Sequence, residues 1–185
     1  MYKNLFAQLD ARLDKGRTIL AIDGKSASGK TTLATLLKER YDATVFHTDD
    51  FFLQPHQRTP ERLAEVGGNL DRERFLAEVL IPLKEGKEVA YRKFDCSTMT
   101  ILKAEKITPK KLVVVEGAYS MHPDLRDFYD LSVFLDVSKD LQKERILKRN
   151  PRFAPRFFNE WIPMEERYFS EMQIKEKCDI VIEIK

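Results

Sequence analysis

The sequence predicts an α/β domain with a mainly parallel sheet flanked by helices, and three observations carry that prediction. Short apolar runs of strand length alternate along the chain with segments of helical period. The clearest runs are apolar at nearly every position, as in strands buried on both faces. A glycine-containing stretch stands directly between the first run and the helix after it, where such a sheet binds anions beyond the carboxyl ends of its strands.

Each element follows from its pattern. Leu5, Leu9 and Leu13 recur at every fourth position among polar residues, so residues 1–16 open with an amphipathic helix that Gly16 ends. Thr18–Asp23 (TILAID) is the first buried strand. A helix runs from Thr31 to about Arg40, with Leu33, Leu36 and Leu37 on its inner side, and Thr44–His47 is a second short strand. Beyond Gly67-Gly68, the spacing of Phe75, Leu76, Val79 and Leu80 makes Arg72–Leu83 helical. Glu88–Phe94 is a strand of poorer pattern, whereas Leu112–Val115 and Leu131–Val137 are again continuous apolar runs. Ser138 suits an N-cap and Asp140 the first turn of a helix reaching about Arg149. Pro151, Phe153 and Pro155 mark about 150–160 as a loop between helices. Phe157–Met172 is the next helix, interrupted or started at Pro163, and Asp179–Ile184 is the last strand.

With 185 residues and no linker or repeat, residues 1–185 are expected to form a single domain. The 32 Lys+Arg and 30 Asp+Glu leave a net charge of +2, so no nucleic-acid partner and no membrane surface is expected. No apolar run approaches the roughly 18 residues of a membrane span. Asn4, Gln8 and Asp10 interrupt any secretory core, and a cytoplasmic location is expected. Cys96 and Cys178 match no metal or redox spacing and are expected to be reduced. His47, His56 and His122 are scattered and suit packing or surface roles.

The chemistry concentrates in Gly24-Lys25-Ser26-Ala27-Ser28-Gly29-Lys30-Thr31, a complete G-x-x-x-x-G-K-[ST] in the strand–loop–helix setting it requires. Its glycines let the backbone curl, so that N–H groups and a helix N-terminus converge on phosphate oxygens. Lys30 brings a mobile positive charge to the β- and γ-phosphates of ATP, the Thr31 hydroxyl suits Mg²⁺, and Thr32 extends the nucleotide-contacting run. The second strand runs into Asp49-Asp50, where one carboxylate is placed to accept a hydroxyl proton and its neighbour points elsewhere. Glu116 follows the run Leu112–Val115, the position of an acid serving the Mg²⁺ shell. Arg145, Lys148, Arg149, Arg152 and Arg156 form the main cationic cluster. One reading is a solvated helix face plus loop; the favoured one is a basic lid closing over a transferring phosphate, with no single arginine marked as the one in contact.

On GKSASGKT, DDFF, VVVEG and the basic stretch followed by Trp161-Ile162-Pro163-Met164, the chain resembles the uridine kinase and nicotinamide riboside kinase group of small P-loop kinases. The resemblance runs from about Ile19 to Ile184. It implies a P-loop kinase fold with a five-stranded parallel sheet, ATP as donor with Mg²⁺, and transfer to a primary hydroxyl. Carried across, the base falls on Asp49, the metal-serving acid on Glu116, and the ribose-contacting acid on Asp71 of Asn69-Leu70-Asp71. Asp71 taken alone reads as an N-terminal helix residue. Phe52, Asn69, Tyr91, Arg92 and Trp161 complete the implied acceptor contacts.

Two departures stand out. The stretch Tyr91-Arg92-Lys93-Phe94-Asp95-Cys96, which matches the substrate hairpin, lacks the histidine that helps uridine kinases read the base. No C-terminal helical extension follows the last strand, which bears on the contacts of any homo-oligomer. The expectation is phosphorylation of a nucleoside 5′-hydroxyl, with uridine or cytidine first. The alternatives are a kinase for nicotinamide riboside or a pantothenate-like alcohol, and a nucleotide-binding switch that hydrolyses ATP slowly.

Overall fold

A computed structural model describes residues Met1 to Lys185. Thr18–Gly24 (β1) is its axis, buried at every position. Alternate side chains leave opposite faces of a strand, and here both sets are apolar. Ile19 and Ala21 join one core, and Leu20 and Ile22 join the other. The remaining strands are β2 (Thr44–His47), β3 (Val89–Tyr91), β4 (Phe94–Asp95), β5 (Thr100–Ile101), β6 (Glu105–Ile107), β7 (Leu112–Glu116), β8 (Leu131–Val137) and β9 (Ile180–Ile184). Five of them form one sheet in the order β2-β7-β1-β8-β9, parallel throughout. The five-stranded parallel sheet flanked by helices is therefore present. No helix is long and apolar enough to cross a membrane.

Helices cover both faces. Leu5 and Leu9 of helix Lys3–Leu13 pack with Leu33, Ala34 and Leu37 of helix Lys30–Tyr41 on one side. Leu36, expected on that inner side, is 37% exposed. At about 100° per residue it falls far off the middle of the stripe made by positions 33, 34 and 37, and Ala34 takes its place. The opposite face is covered by Phe75, Val79, Leu80 and Leu83, together with Leu125, Tyr168 and Phe169.

Two helical stretches contain a widened turn, and both turns have the same cause. The expected helix over 72–83 comprises Arg72–Phe75, a π turn at Leu76–Leu80, and Ile81–Lys84. Pro82 can neither donate to the carbonyl of Glu78 nor avoid crowding it, and the wide turn absorbs the conflict. Pro163 stands in the same relation to Asn159, inside a π turn at Phe157–Trp161 that leads into helix Ile162–Glu171.

Other expectations need correction. Residues 150–160, expected as a lid loop, are not a loop: Pro151–Phe153 is a 3₁₀ turn, and Ala154–Arg156 begins the helix that runs on through the π turn. Pro155 sits at the first helical positions, where a missing N–H costs nothing. Ile146, Ala154 and Phe157 form a small core beneath it. Glu88–Phe94 belongs to no sheet strand of the main layer. The expected single strand is split into β3 and the start of β4, which form a separate antiparallel hairpin with β6 and β5.

Candidate active site

The phosphate loop leaves β1 through Gly24, where φ is +138° and an added Cβ would lie 2.3 Å from the Leu135 carbonyl of β8. Only glycine fits that approach. Gly29, also at positive φ, precedes helix Lys30–Tyr41, whose N-terminus carries no side-chain cap. Its first N–H groups are left for an anion. The loop is held from several sides. Lys25 pairs with Asp136 at 2.6 Å, and Asp136 also binds Lys175 at 2.6 Å. The Ser26 carbonyl accepts from Gln142 (3.0 Å) and the Ala27 carbonyl from Arg145 (3.1 Å). Lys30 Nζ donates to the carbonyls of Gly24 (2.7 Å) and Lys25 (3.1 Å), at the mouth of the loop. Ser28 is buried with its hydroxyl unpartnered, while Thr31 and Thr32 are exposed.

Sheet register brings the acids to the same edge. Glu116 ends β7 and pairs with Ile22 of β1 and His47 of β2. Its Oε1 accepts from the Thr31 hydroxyl at 3.1 Å and lies 2.6 Å from His47 Nδ1. That hydrogen bond pushes the imidazole above its usual pKa, with burial opposing. Thr31 and Glu116 thus offer two hard oxygen donors at one point. Mg²⁺ suits such a place, because it takes most of its shell from water and phosphate.

Asp49 lies in a turn, Thr48–Phe51, directly after β2. Buried Thr48 anchors this turn by donating to the Ala118 carbonyl at 3.0 Å. Gly117 allows the approach, since a Cβ there would lie 2.0 Å from Thr48 Oγ1. Asp49 is exposed in this turn while neighbouring protein atoms crowd its carboxylate; a Cβ on Gly117 would lie 3.5 Å from its Oδ1. Loss of water raises its pKa, Glu116 and Asp50 add to this, and Lys30 and His47 oppose it. Asp50 points the other way and accepts from the Tyr91 hydroxyl at 2.6 Å.

The implied acceptor contacts divide. Phe52 and Asn69 are half-buried, Phe52 bridging Leu70, and the Asn69 Oδ1 has no partner. Asp71 is 2% exposed and internally engaged: it caps the Arg74 N–H at 3.2 Å and accepts from Gln57 at 3.0 Å. Its helix-terminus role is thus visible in the geometry. Tyr91 is buried against Phe46 and Phe51 and braces the turn, and Arg92 is ion-paired with Glu78 on the surface. Trp161 packs edge-on against Phe157, 4.5 Å between ring centroids.

The cationic residues divide in the same way. Arg145 and Arg149, with Lys148, line a cavity of about 560 Å³ beside Ala27, Gly29 and Thr32. Arg152 is exposed beside Phe153, and Arg156 pairs with Glu160 at 3.1 Å. The geometry therefore gathers residues 24–32, Asp49, Glu116, Arg145 and Arg149, and leaves Tyr91, Arg92, Trp161, Arg152 and Arg156 with other partners.

Three residues given no site role in the sequence belong to this place. His47, expected in a packing or surface role, lies against Glu116. Asp23, fully buried, accepts from Gly24 N–H (2.7 Å), Met121 N–H (2.9 Å) and the Tyr168 hydroxyl (2.8 Å). Glu165 binds Ser26. An acid inside the apolar run TILAID was the one available signal, for Asp23.

Comparison with known proteins agrees with this arrangement. Residues 19–152 match the phosphoribulokinase/uridine kinase family. A uridine kinase of Chlamydia pneumoniae is 31% identical over 143 residues, which span 72% of this chain and 63% of that protein. A uridine kinase of Staphylococcus epidermidis is 28% identical over 184 residues, 89% of this chain and 86% of that one. The solved structure of a possible uridine kinase from Bacillus stearothermophilus superposes with a TM-score of 0.67 at 22% identity, covering 97% of this chain and 99% of that one. The family match takes in the phosphate loop, the Asp49 turn and the end of β7, so this chain belongs to the phosphoribulokinase/uridine kinase family and is a small-molecule kinase.

Proposed function

We propose that the chain transfers the γ-phosphoryl group of ATP to the 5′-hydroxyl of a nucleoside, with uridine or cytidine as the first candidates. The observation that carries this reading is Asp49, an exposed carboxylate in the turn after β2, beside Gly117 at the end of β7 and under the charges of Lys30, Glu116 and His47. A raised pKa makes it a better base than an ordinary aspartate. In the proposed step, Asp49 takes the hydroxyl proton as the oxygen bonds to the γ-phosphorus. The bond to the β–γ bridging oxygen breaks, and ADP leaves. Loop N–H groups and Lys30 hold the donor phosphates, and Arg145 and Arg149 border the donor's side of the loop. Thr31 and Glu116 would hold Mg²⁺, which supplies charge neutralisation at the phosphates. Names of the relatives support the nucleoside class; the hairpin without a base-reading histidine leaves base preference to experiment.

The test is a coupled ADP-release assay with Mg·ATP and uridine, cytidine, adenosine, nicotinamide riboside and pantothenate in turn. Asp49→Asn should lower kcat by about 10²-fold or more and leave ATP affinity nearly intact. Asp50→Asn keeps an oxygen for the Tyr91 hydroxyl and should stay within about five-fold of the unsubstituted chain, the scale of one altered hydrogen bond. Loss of ATP binding in Asp49→Asn, or equal kcat losses in both variants, would remove Asp49 as the base. Release with nicotinamide riboside alone would move the acceptor, and acceptor-independent release would favour a nucleotide switch.

A further inference from the structure

Glu165 has no part in the transfer just described, yet it is 6% exposed and has no cation within ion-pair distance. A buried carboxylate needs compensating donors. Its donors come from the phosphate loop. Oε2 accepts the Ser26 N–H at 2.9 Å and Oε1 accepts the Ser26 hydroxyl at 2.5 Å. Burial pushes its carboxyl pKa up, while nearby Lys30 and the two Ser26 donors counteract this.

The direction of attachment matters. Glu165 stands in the first turn of helix Ile162–Glu171, directly after the lid. From the helix before the lid, Lys139–Arg149, Gln142 takes the carbonyl of the same Ser26 and Arg145 takes that of Ala27. The two helices flanking the lid therefore clasp one short segment of the loop, one through its donors and the other through its carbonyls. Ala27, within the clasp, has a left-handed φ of 60°, a conformation an alanine seldom holds unaided.

We infer that Glu165 is a positioning residue for the donor phosphates: by fixing both donors of Ser26 from the helix that follows the lid, it sets the curvature of the phosphate loop and couples loop and lid. This rests on the kinase reading above. A merely structural tie would lower stability and leave the donor's KM where it is.

The experiment compares Glu165→Ala, Glu165→Gln, Ser26→Ala and the Ser26→Ala/Glu165→Ala double variant with the unsubstituted chain. It reads kcat, KM for Mg·ATP, KM for the acceptor, Tm, and the Kd of a fluorescent ADP analogue. Glu165→Ala should raise the KM for Mg·ATP and the Kd by about ten-fold, with the acceptor KM within about two-fold. Glu165→Gln keeps an oxygen for the Ser26 N–H and should recover most of that loss. Ser26→Ala should cost about three-fold and add nothing to Glu165→Ala. A Glu165→Ala chain with unchanged KM and Kd and only a lower Tm overturns the inference, as do additive losses in the double variant. Should Glu165→Ala not fold, additivity is read from Ser26→Ala with Glu165→Gln. The Kd arm separates the two readings: a chain that binds nucleotide but transfers to no acceptor fails as a kinase while the Glu165 comparison still stands or falls on Kd.

Discussion

Asp49 and Asp50 are the same residue type in adjacent positions, and their surroundings give them different work. Asp49 is exposed and feels the charges of Lys30, Glu116 and His47, whereas Asp50 meets the Tyr91 phenol of the hairpin. His122 shows how far burial alone can tune such a group. Its Nδ1 accepts from the Asp124 N–H at 3.2 Å, so the ring caps helix Pro123–Arg126 as a neutral imidazole. Burial lowers its pKa below the usual value of 6.5, Arg72 and Arg62 assist, and Asp124 and the Val66 carbonyl oppose. The sign follows: above pH 6.5 neither folded nor unfolded chain is protonated there. As pH falls below 6.5 the unfolded chain takes up a proton that the folded chain refuses, and stability falls until the lowered folded pKa is reached. The loss is at most about 1.4 kcal/mol per pH unit. His122→Asn keeps an acceptor for the cap without the ionisation. Urea midpoints between pH 7.5 and 5 should fall more steeply for the unsubstituted chain than for the variant, other groups cancelling in the difference. Parallel curves would contradict the argument.

At the scale of elements, the hairpin β3–β6 braces the turn after β2 through Tyr91, and the acceptor contacts that the family resemblance implies for it are open to a direct test. Its tip is ordered by one residue: Asp95 accepts from the Ser97 N–H (2.8 Å), the Ser97 hydroxyl (2.7 Å) and the Thr98 hydroxyl (3.1 Å). Asp95→Ala should free the tip and raise the acceptor KM about five-fold or more, a single hydrogen bond being worth about 1 kcal/mol, with the KM for ATP unchanged. A matching rise in both constants would place the hairpin outside acceptor binding. The same hairpin shows where the sequence becomes unreadable. β1, β7 and β8 announce themselves because burial on both faces demands unbroken apolar runs. β6 (Glu-Lys-Ile) lies exposed at two of its three positions and carries no such demand, so its pairing is invisible until β3 is placed. The phosphate loop was legible because its chemistry fixes residue type and spacing together. His47 was not, since a histidine ending a strand acquires meaning only when register sets it beside Glu116. Glu165 and Ser26 are 139 residues apart in sequence, and no local pattern links them. The helical form of residues 151–161 was missed for a different reason: prolines that ordinarily end helices here occupy first-turn positions or follow a widened turn.

For the whole molecule, the two cores share one sheet, since the odd and even residues of β1 belong to opposite cores. Neither core can be exposed without tearing the strand that holds the other, and the phosphate loop is tied to β1, to β8 and to helices Lys139–Arg149 and Ile162–Glu171. Unfolding is therefore expected as one cooperative transition over residues 1–185. A ligand gripping the loop should raise that transition as a unit. Mg·ADP at 100 times its Kd stabilises by about 2.7 kcal/mol, which for a chain of this size amounts to about 5–10 °C in Tm. Removing Mg²⁺ with a chelator should shrink the shift, the result expected if Thr31 and Glu116 hold the ion as proposed. Lys30→Met should abolish most of it, because the charge at the mouth of the loop is gone. Calorimetry with and without nucleotide checks each step. Two separate transitions would divide the domain, and a shift that survives Lys30→Met would place the nucleotide away from the loop.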